Sequence, residues 1–307
     1  MKLIFYLKYQ INNSIDNGLV FPAVICLAVP KSPPPRKTPF SDRREREFLY
    51  LHEVDAVIAA CQNTRNPIRN QALAVLLFCQ CLQPSELCWL RWCDVNEDLQ
   101  SLLVTRNRSK STRQSQQIVT NLQPLCPKEV ELLEQLKQVR TTDWIFASER
   151  KQRLSERSLH HIIQQAGEIA SLPNTTHPYM LRRSGLYYRS ALLLQATALS
   201  LSQCCLLWNW HATNTPLSAQ NEQKYYSISS AQKSAFFQTL DQIKVFSGIT
   251  LYQNTIDYLL GAFSLEPQLQ DIPQDYWLSP INWQPQTLPK RLQLLKSRNS
   301  NEKSRRF

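Results

Sequence analysis

The segment of residues 176–190, THPYMLRRSGLYYRS, concentrates side chains that bind or attack phosphate. It contains three arginines, three tyrosines and one histidine around the apolar pair Met180 and Leu181. The arginine guanidinium group is planar, permanently charged and able to donate two parallel hydrogen bonds to a phosphate. A tyrosine phenol becomes a nucleophile when a neighbouring group accepts its proton. The segment therefore indicates a helix that offers cationic groups to phosphate chemistry while its other face is buried.

The elements that must position this segment are predicted to be mostly helical. The run from Ile68 to Leu82 is apolar almost all round, which is typical of a buried helix. Pro84 and Pro178 stand where the first turn of a helix tolerates proline. The strand patterns SLLVT and QQIVT flank the basic connection RNRSKSTRQS and predict one hairpin. The expected fold class is mainly α with a small antiparallel β-sheet, an α+β arrangement.

Further along the chain the pattern predicts a short strand in DWIFAS, a helix capped by Ser155, and helices over residues 197–210 and 222–240. Residues 1–45 are rich in proline and charge and are expected to form a flexible basic arm. Residues 46–232 are expected to form the main folded domain. The pattern fades from about residue 245, and we assign no role to a C-terminal extension of residues 233–307.

The composition favours a polyanionic partner. The net charge is 35 − 24 = +11 and the sequence pI is about 9.3. There are only five glycines and no glycine-rich phosphate loop, which argues against a nucleotide cofactor. The nine cysteines form no paired C-x-x-C clusters, which predicts reduced core thiols in the cytoplasm rather than a zinc site. The apolar run from Leu19 to Pro30 is too short to span a membrane.

The residues around the opening segment resemble motifs of the tyrosine recombinase, or phage integrase, family. HPYMLRRS at residues 177–184 is similar to the family's HPHMLRHS, and CLQPSELCWLRWCDV at residues 81–95 resembles GLRxSELxxLRWxDV. KYYSIS at residues 224–229 stands where the family has its xYT motif. The resemblance covers roughly residues 46–230 and is strongest with the short type that consists of the catalytic domain and inverts fimbrial switches.

This resemblance implies site-specific cleavage and rejoining of double-stranded DNA by protomers that associate on the DNA, with no metal and no small-molecule cofactor. Tyr226 matches the nucleophile, Arg182 the second catalytic arginine, and His211 the histidine of the LGH motif. Lys110 or Arg108, in the hairpin, matches the position of the lysine general acid, and only Lys110 releases a proton readily. The basic residues expected to contact DNA are Arg106, Arg108, Arg113 and Arg183.

Two positions depart from the family pattern in charge or acidity. Gln83 stands where the first catalytic arginine is expected, and Tyr179 stands where a histidine is usual. Loss of a charge-assisted donor at a transition state costs roughly 10² to 10³ in rate. Arg183 also replaces the histidine that usually follows the second arginine, and His177 is a candidate substitute for the missing imidazole.

The spacing near the nucleophile departs as well. His211 and Tyr226 are 226 − 211 = 15 positions apart, longer than is usual in the family. Three interpretations therefore stay open: an active site-specific recombinase, a catalytically impaired remnant that binds DNA without cutting it, and a helical protein-interaction module whose charge is incidental. Whether the chain is an enzyme is left undecided by the sequence.

Overall fold

The computed structural model describes residues 46–108, 117–195, 197–213, 219–248, 252–261 and 289–290. The described elements all belong to one compact unit, Phe40–Phe307. In chain order they are α1 (Leu51–Ala60), α2 (Pro67–Cys79), α3 (Pro84–Cys88), β1 (Ser101–Arg108), β2 (Gln117–Pro124), α4 (Pro127–Gln138), α5 (Glu156–Ile169), α6 (Pro178–Gln195), α7 (Leu201–Thr213), α8 (Ala219–Ser227), α9 (Ser230–Ser247) and α10 (Tyr252–Gly261).

Helix α2 lies at the centre of the core. It begins at Pro67, and its side chains from Ala72 to Cys79 are all buried, as its apolar pattern predicts. Helices α4 and α6 pack against it. Helix α6 approaches closely at Gly185, where a Cβ would overlap the carbonyl oxygen of Phe78 at the end of α2. This close approach fixes the position of Arg182, one turn earlier on α6.

The predicted hairpin forms the only sheet among the described residues. Strands β1 and β2 pair antiparallel, from Ser101 opposite Pro124 to Arg108 opposite Gln117. Because side chains alternate along a strand, Leu102, Val104 and Arg106 share one face of β1, and all three are buried. The fold class is therefore mainly α with a small antiparallel sheet, as expected.

Two expectations about single elements are wrong. DWIFAS forms isolated bridges rather than a strand, because Ile145 bonds to Leu90 while Phe146 bonds to Leu154, so no continuous ladder develops. The helix expected over residues 222–240 is two helices. Helix α8 ends at Ser227, and α9 begins with a new cap in which the amide of Gln232 donates to the Ser229 hydroxyl at 3.2 Å.

Helices α9 and α10 continue the helical structure past about residue 245, where the sequence pattern fades. Helix α9 contacts α6 and β2, and α10 packs against α6 and α9. Among the described cysteines eight are free thiols, and six of these are buried, in agreement with the expectation of reduced core residues. The helices searched include none that is both long and apolar enough to cross a membrane.

Candidate active site

Arg182 points into the protein from α6. Its side chain is buried, with 6% of the residue exposed. The guanidinium group donates from Nη1 to the carbonyl oxygen of Cys81 and from Nη2 to that of Ser247, the second at 2.7 Å. Arg182 Nη1 also lies 3.9 Å from Oε2 of Glu86. The arginine predicted to be the second catalytic one is therefore held by backbone carbonyls and one carboxylate.

Glu86 contacts both Gln83 and Arg106 in the surroundings of Arg182. Proline 84 opens α3, and the amide of Gln83 just before it donates to Oε2 of Glu86 at 2.8 Å. On the other carboxylate oxygen, Oε1, Arg106 of β1 donates from Nε at 2.9 Å. The structure thus brings Gln83 and Arg182 to the same carboxylate, although they are 99 positions apart in the sequence. The Gln83 residue itself is exposed.

Arg106 is part of this centre rather than of the outer surface. Only 5% of the residue is exposed, whereas the sequence indicated a basic connection that contacts DNA. Burial lowers the pKa of Arg106, and the neighbouring carboxylate of Glu86 opposes that shift. A guanidinium group keeps its charge in proteins, so two buried cations face one anion here. The signal that locates Arg106 is its strand parity with the buried Leu102 and Val104.

Tyr179 and His177 lie at the start of α6. Tyr179 is 47% exposed, with its ring near those of His160 and His177 at centroid distances of 6.1 and 6.3 Å. His177 Nε2 lies 3.3 Å from Oε2 of Glu47, so this imidazole is engaged with a carboxylate. Neither side chain has a described contact with Glu86. A role for either in catalysis remains a prediction.

His211 and Tyr226 belong to α7 and α8. The His211 ring packs against Phe237 of α9, with 4.9 Å between ring centroids. Tyr226 is 74% exposed and contacts its neighbour Tyr225, while the ammonium group of Lys233 lies 5.8 Å from its ring. These partners differ from those of Arg182. That Arg182, His211 and Tyr226 share one active site therefore remains a prediction.

The residues expected in the hairpin connection are mostly outside the described part of the chain. Lys110 and Arg113 lie outside the described residues, and so does the side chain of Arg108. The backbone of Arg108 is described and pairs with Gln117. Arg183 lies half-buried on α6, next to Arg182. The assignments of Lys110, Arg108, Arg113 and Arg183 stay predictions.

A buried polar cluster at α2 and α4 was not indicated by the sequence. Cys79, Cys126 and Glu129 place three potential metal-ligand atoms within 4.8 Å of one another. Burial raises the pKa of Glu129 well above its usual range, and hydrogen bonding with Cys79 lowers the pKa of Cys126 to about 7. Glu129 Oε2 already accepts from the amide of Cys126 and from Gln80, each at 2.7 Å. We therefore describe these residues as a hydrogen-bonded core cluster.

Comparisons with known proteins identify the relatives of this chain. The model of the phage integrase family matches residues 47–188. The type 1 fimbriae regulatory protein FimB of Escherichia coli strain K12 is 31% identical over 150 residues, which cover 47% of this chain and 71% of FimB. The chain belongs to the phage integrase family of tyrosine recombinases. FimE of the same strain is also 31% identical, over 147 residues that cover 46% of this chain and 70% of FimE.

The family match has a clear boundary within this tyrosine recombinase. Residues 47–188 include Gln83, Glu86, Arg106 and Arg182, whereas Tyr226 lies beyond the matched range. Among solved structures, the XerA recombinase covers 80% of this chain and is itself covered to 68%, with 16% identity and a TM-score of 0.46. The arginine and glutamate positions are thus the part of the site that the family assignment covers directly.

Proposed function

We propose that this tyrosine recombinase cleaves and rejoins double-stranded DNA at specific sites through a 3′-phosphotyrosine. The observation that carries the proposal is the convergence of Arg106 and Arg182 on Glu86, within the part of the chain that matches the family. Two guanidinium groups beside one carboxylate leave a net positive charge that suits a phosphodiester. The overall charge of +11 supports the same partner.

The proposed reaction needs a nucleophile, cationic donors and an acid. The phenolic oxygen of Tyr226 attacks phosphorus and loses its proton, and the bond from phosphorus to the 5′-oxygen breaks. Arginine donors neutralise the charge that develops on the phosphoryl oxygens. Lys110 is proposed to give a proton to the leaving 5′-oxygen, and His211 to accept the proton that the phenol of Tyr226 loses. A 5′-hydroxyl then attacks the phosphotyrosine and regenerates the free tyrosine.

The phosphotyrosine linkage conserves the phosphodiester, so this chemistry requires no cofactor to restore it. Exchange of strands between two sites needs more than one active tyrosine, and we propose that protomers associate on the DNA. A DNA substrate also suits a cytoplasmic location. We also propose that the catalytic domain spans residues 46–232 and that residues 233–307 form an extension.

A second candidate function is DNA binding without cleavage, and two features motivate it. Gln83 carries no charge at the position of the first catalytic arginine, and Arg182 is buried under backbone carbonyls. Such a protein would hold a DNA site and regulate access to it. The two functions differ in a single product, the covalent link between Tyr226 and DNA.

The experiment begins with selection of bound duplexes from a random pool, because the target sequence has to be found first. A nicked version of the selected duplex then traps any covalent intermediate, since the short fragment after the cleaved bond diffuses away. We expect a protein–DNA adduct with the native chain and with Tyr225→Phe, and none with Tyr226→Phe. Selective binding by all three proteins without an adduct would replace the recombinase proposal with the regulator.

A further inference from the structure

The last turn of α9 ends directly on the two arginines. Arg106 donates from Nη1 to the carbonyl oxygen of Val245 at 3.0 Å and from Nη2 to that of Phe246 at 2.8 Å. Arg182 donates from Nη2 to the next carbonyl, that of Ser247, at 2.7 Å. Three consecutive backbone oxygens therefore accept from three of the four terminal nitrogens of the two guanidinium groups.

These oxygens have the character of an anion. The last four carbonyls of a helix lack partners within the helix, and together they carry a partial negative charge of roughly half an elementary charge. A phosphate presents the same kind of acceptors to arginine, with a larger charge. The C-terminal turn of α9 thus fills the place that a phosphate would take between the two guanidinium groups.

Arg106 carries a positive charge of the kind that is absent at position 83. Gln83 is exposed and neutral, whereas Arg106 reaches the opposite oxygen of the carboxylate that Arg182 approaches. Burial of Arg106 and Arg182 leaves 5% and 6% of each residue exposed, so both cations sit in a region of low dielectric constant. Arg106 and Arg182 share one carboxylate, and the buried Arg189 adds a third cation beside Phe246, so the local charge favours an anion or the negative end of a dipole.

We propose that Arg106 and Arg182 form one phosphate-binding site, in which Arg106 supplies the cation absent at Gln83. The C-terminal turn of α9, Val245–Gly248, occupies this site until a DNA phosphate displaces it. The proposal rests on the proposed function, because it names the ligand and the regulation of that same site. It also assigns a role to the first part of the segment after residue 232.

The turn is held by contacts that an opposing ligand can replace. Besides Arg106, Asn121 donates to the carbonyl of Val245 at 2.6 Å, and Gln123 donates to that of Phe246 at 3.0 Å. The Phe246 ring is buried, with the guanidinium carbon of Arg189 3.6 Å from its centroid. We therefore expect DNA to unwind the final turn while the body of α9 stays in place.

Gly248 provides the sharpest variant. It adopts a left-handed conformation with φ at +71°, and a Cβ there would overlap Cδ and Nε of Arg106. Gly248→Ala strains the turn at its positive φ and places a Cβ against the Arg106 side chain, so it is expected to separate the turn from Arg106 while keeping both arginines in the sequence. Val245→Ala is the matched control, because this side chain is 57% exposed and the substitution keeps the carbonyl that Arg106 binds.

The measurement is the dissociation constant for a mixed-sequence DNA duplex at a series of salt concentrations. In the native chain a phosphate has to displace the turn before it reaches the arginines, so Gly248→Ala, which weakens the turn beforehand, is expected to lower the dissociation constant on the order of 10-fold at each salt concentration. The slope of log affinity against log salt should stay the same, because both proteins end with the same phosphate contacts. Val245→Ala should keep the native dissociation constant. Adding Arg106→Gln to Gly248→Ala should remove about half or more of the gain.

A second variant and a second measurement protect the test against a folding defect. Asn121→Ala with Gln123→Ala removes two other donors to the turn and is expected to lower the dissociation constant in the same direction. In the native chain, hydrogen exchange at the amides of Phe246, Ser247 and Gly248 should accelerate when the duplex binds. Thermal unfolding of each variant verifies that the compared proteins are folded.

The outcomes separate this proposal from the proposed function. A gain that survives Arg106→Gln, or exchange at the turn that is unchanged by DNA, overturns the self-occupied phosphate site. If Tyr226 forms an adduct while the turn stays protected, the recombinase proposal stands and this inference alone is wrong. If the native chain and every folded variant bind no DNA, both are wrong.

Discussion

The carboxylate of Glu86 binds the guanidinium group of Arg106, with 2.9 Å between Oε1 and Nε, and both side chains are more than nine-tenths buried. Arg182 approaches the other oxygen of the same carboxylate. One acidic residue thus balances two cations from different elements, a strand and a helix. We expect the stability of the site to depend on this shared partner.

Glu86→Gln should destabilise the fold strongly, because it leaves two buried guanidinium groups without a counter-charge. Removing one partner of a buried ion pair typically costs about 3–5 kcal/mol in the free energy of unfolding. Urea denaturation near neutral pH measures the change. The matched control is Glu131→Gln in the exposed pair with Lys128, where less than about 1 kcal/mol is expected. Equal effects in the two variants would mean that the α9 carbonyls alone stabilise the arginines.

Gln83→Arg should raise the rate of DNA cleavage by roughly 10- to 1000-fold, because a donor to the developing phosphorane charge supplies about 1.4 to 4 kcal/mol. Single-turnover formation of the covalent adduct on a saturating nicked duplex measures this rate. Binding should change much less, since one added contact is diluted among many. Gln138→Arg, an exposed substitution on α4 with the same charge, is the control. Tighter binding by Gln83→Arg with no adduct would favour the DNA-binding regulator.

Glu129 should make the stability of the protein depend on pH. Burial raises the pKa of this carboxyl in the folded state, so its contribution to stability is full below the unfolded pKa and is lost as the pH rises through the folded value. Glu129→Gln does not titrate. The free energy of unfolding of the native chain minus that of Glu129→Gln should therefore fall as the pH rises above the usual carboxyl pKa of about 4.3.

The control for this comparison is Glu134→Gln, which changes an exposed carboxyl on the same helix. Its difference from the native chain is measured over the same pH range. Urea denaturation at several pH values provides both series. A difference for Glu129→Gln that grows with pH would show that the ionised carboxylate is stabilised in the folded state.

Local patterns in the sequence predicted the helices that carry the site. Proline at the first turn marked the starts of α3 and α6, and the apolar run marked α2 as a buried helix. The hairpin followed from two alternating segments around a basic connection. Such features depend on neighbouring residues, so a single chain contains enough information to locate them. The break between α8 and α9 was missed because one serine cap outweighed a continuous helical pattern.

The sequence by itself determined the family motifs, the placement of Arg182 on a helix and the loss of charge at Gln83. Only the tertiary structure decided that Arg106 reaches Glu86, and that the carbonyls at the end of α9 lie on both arginines. No local spacing relates the residues that meet here, which are far apart along the chain: Glu86, Arg106, Arg182 and Val245. Whether a buried arginine binds a carboxylate, a helix end or a ligand depends on which distant groups packing brings within hydrogen-bond distance.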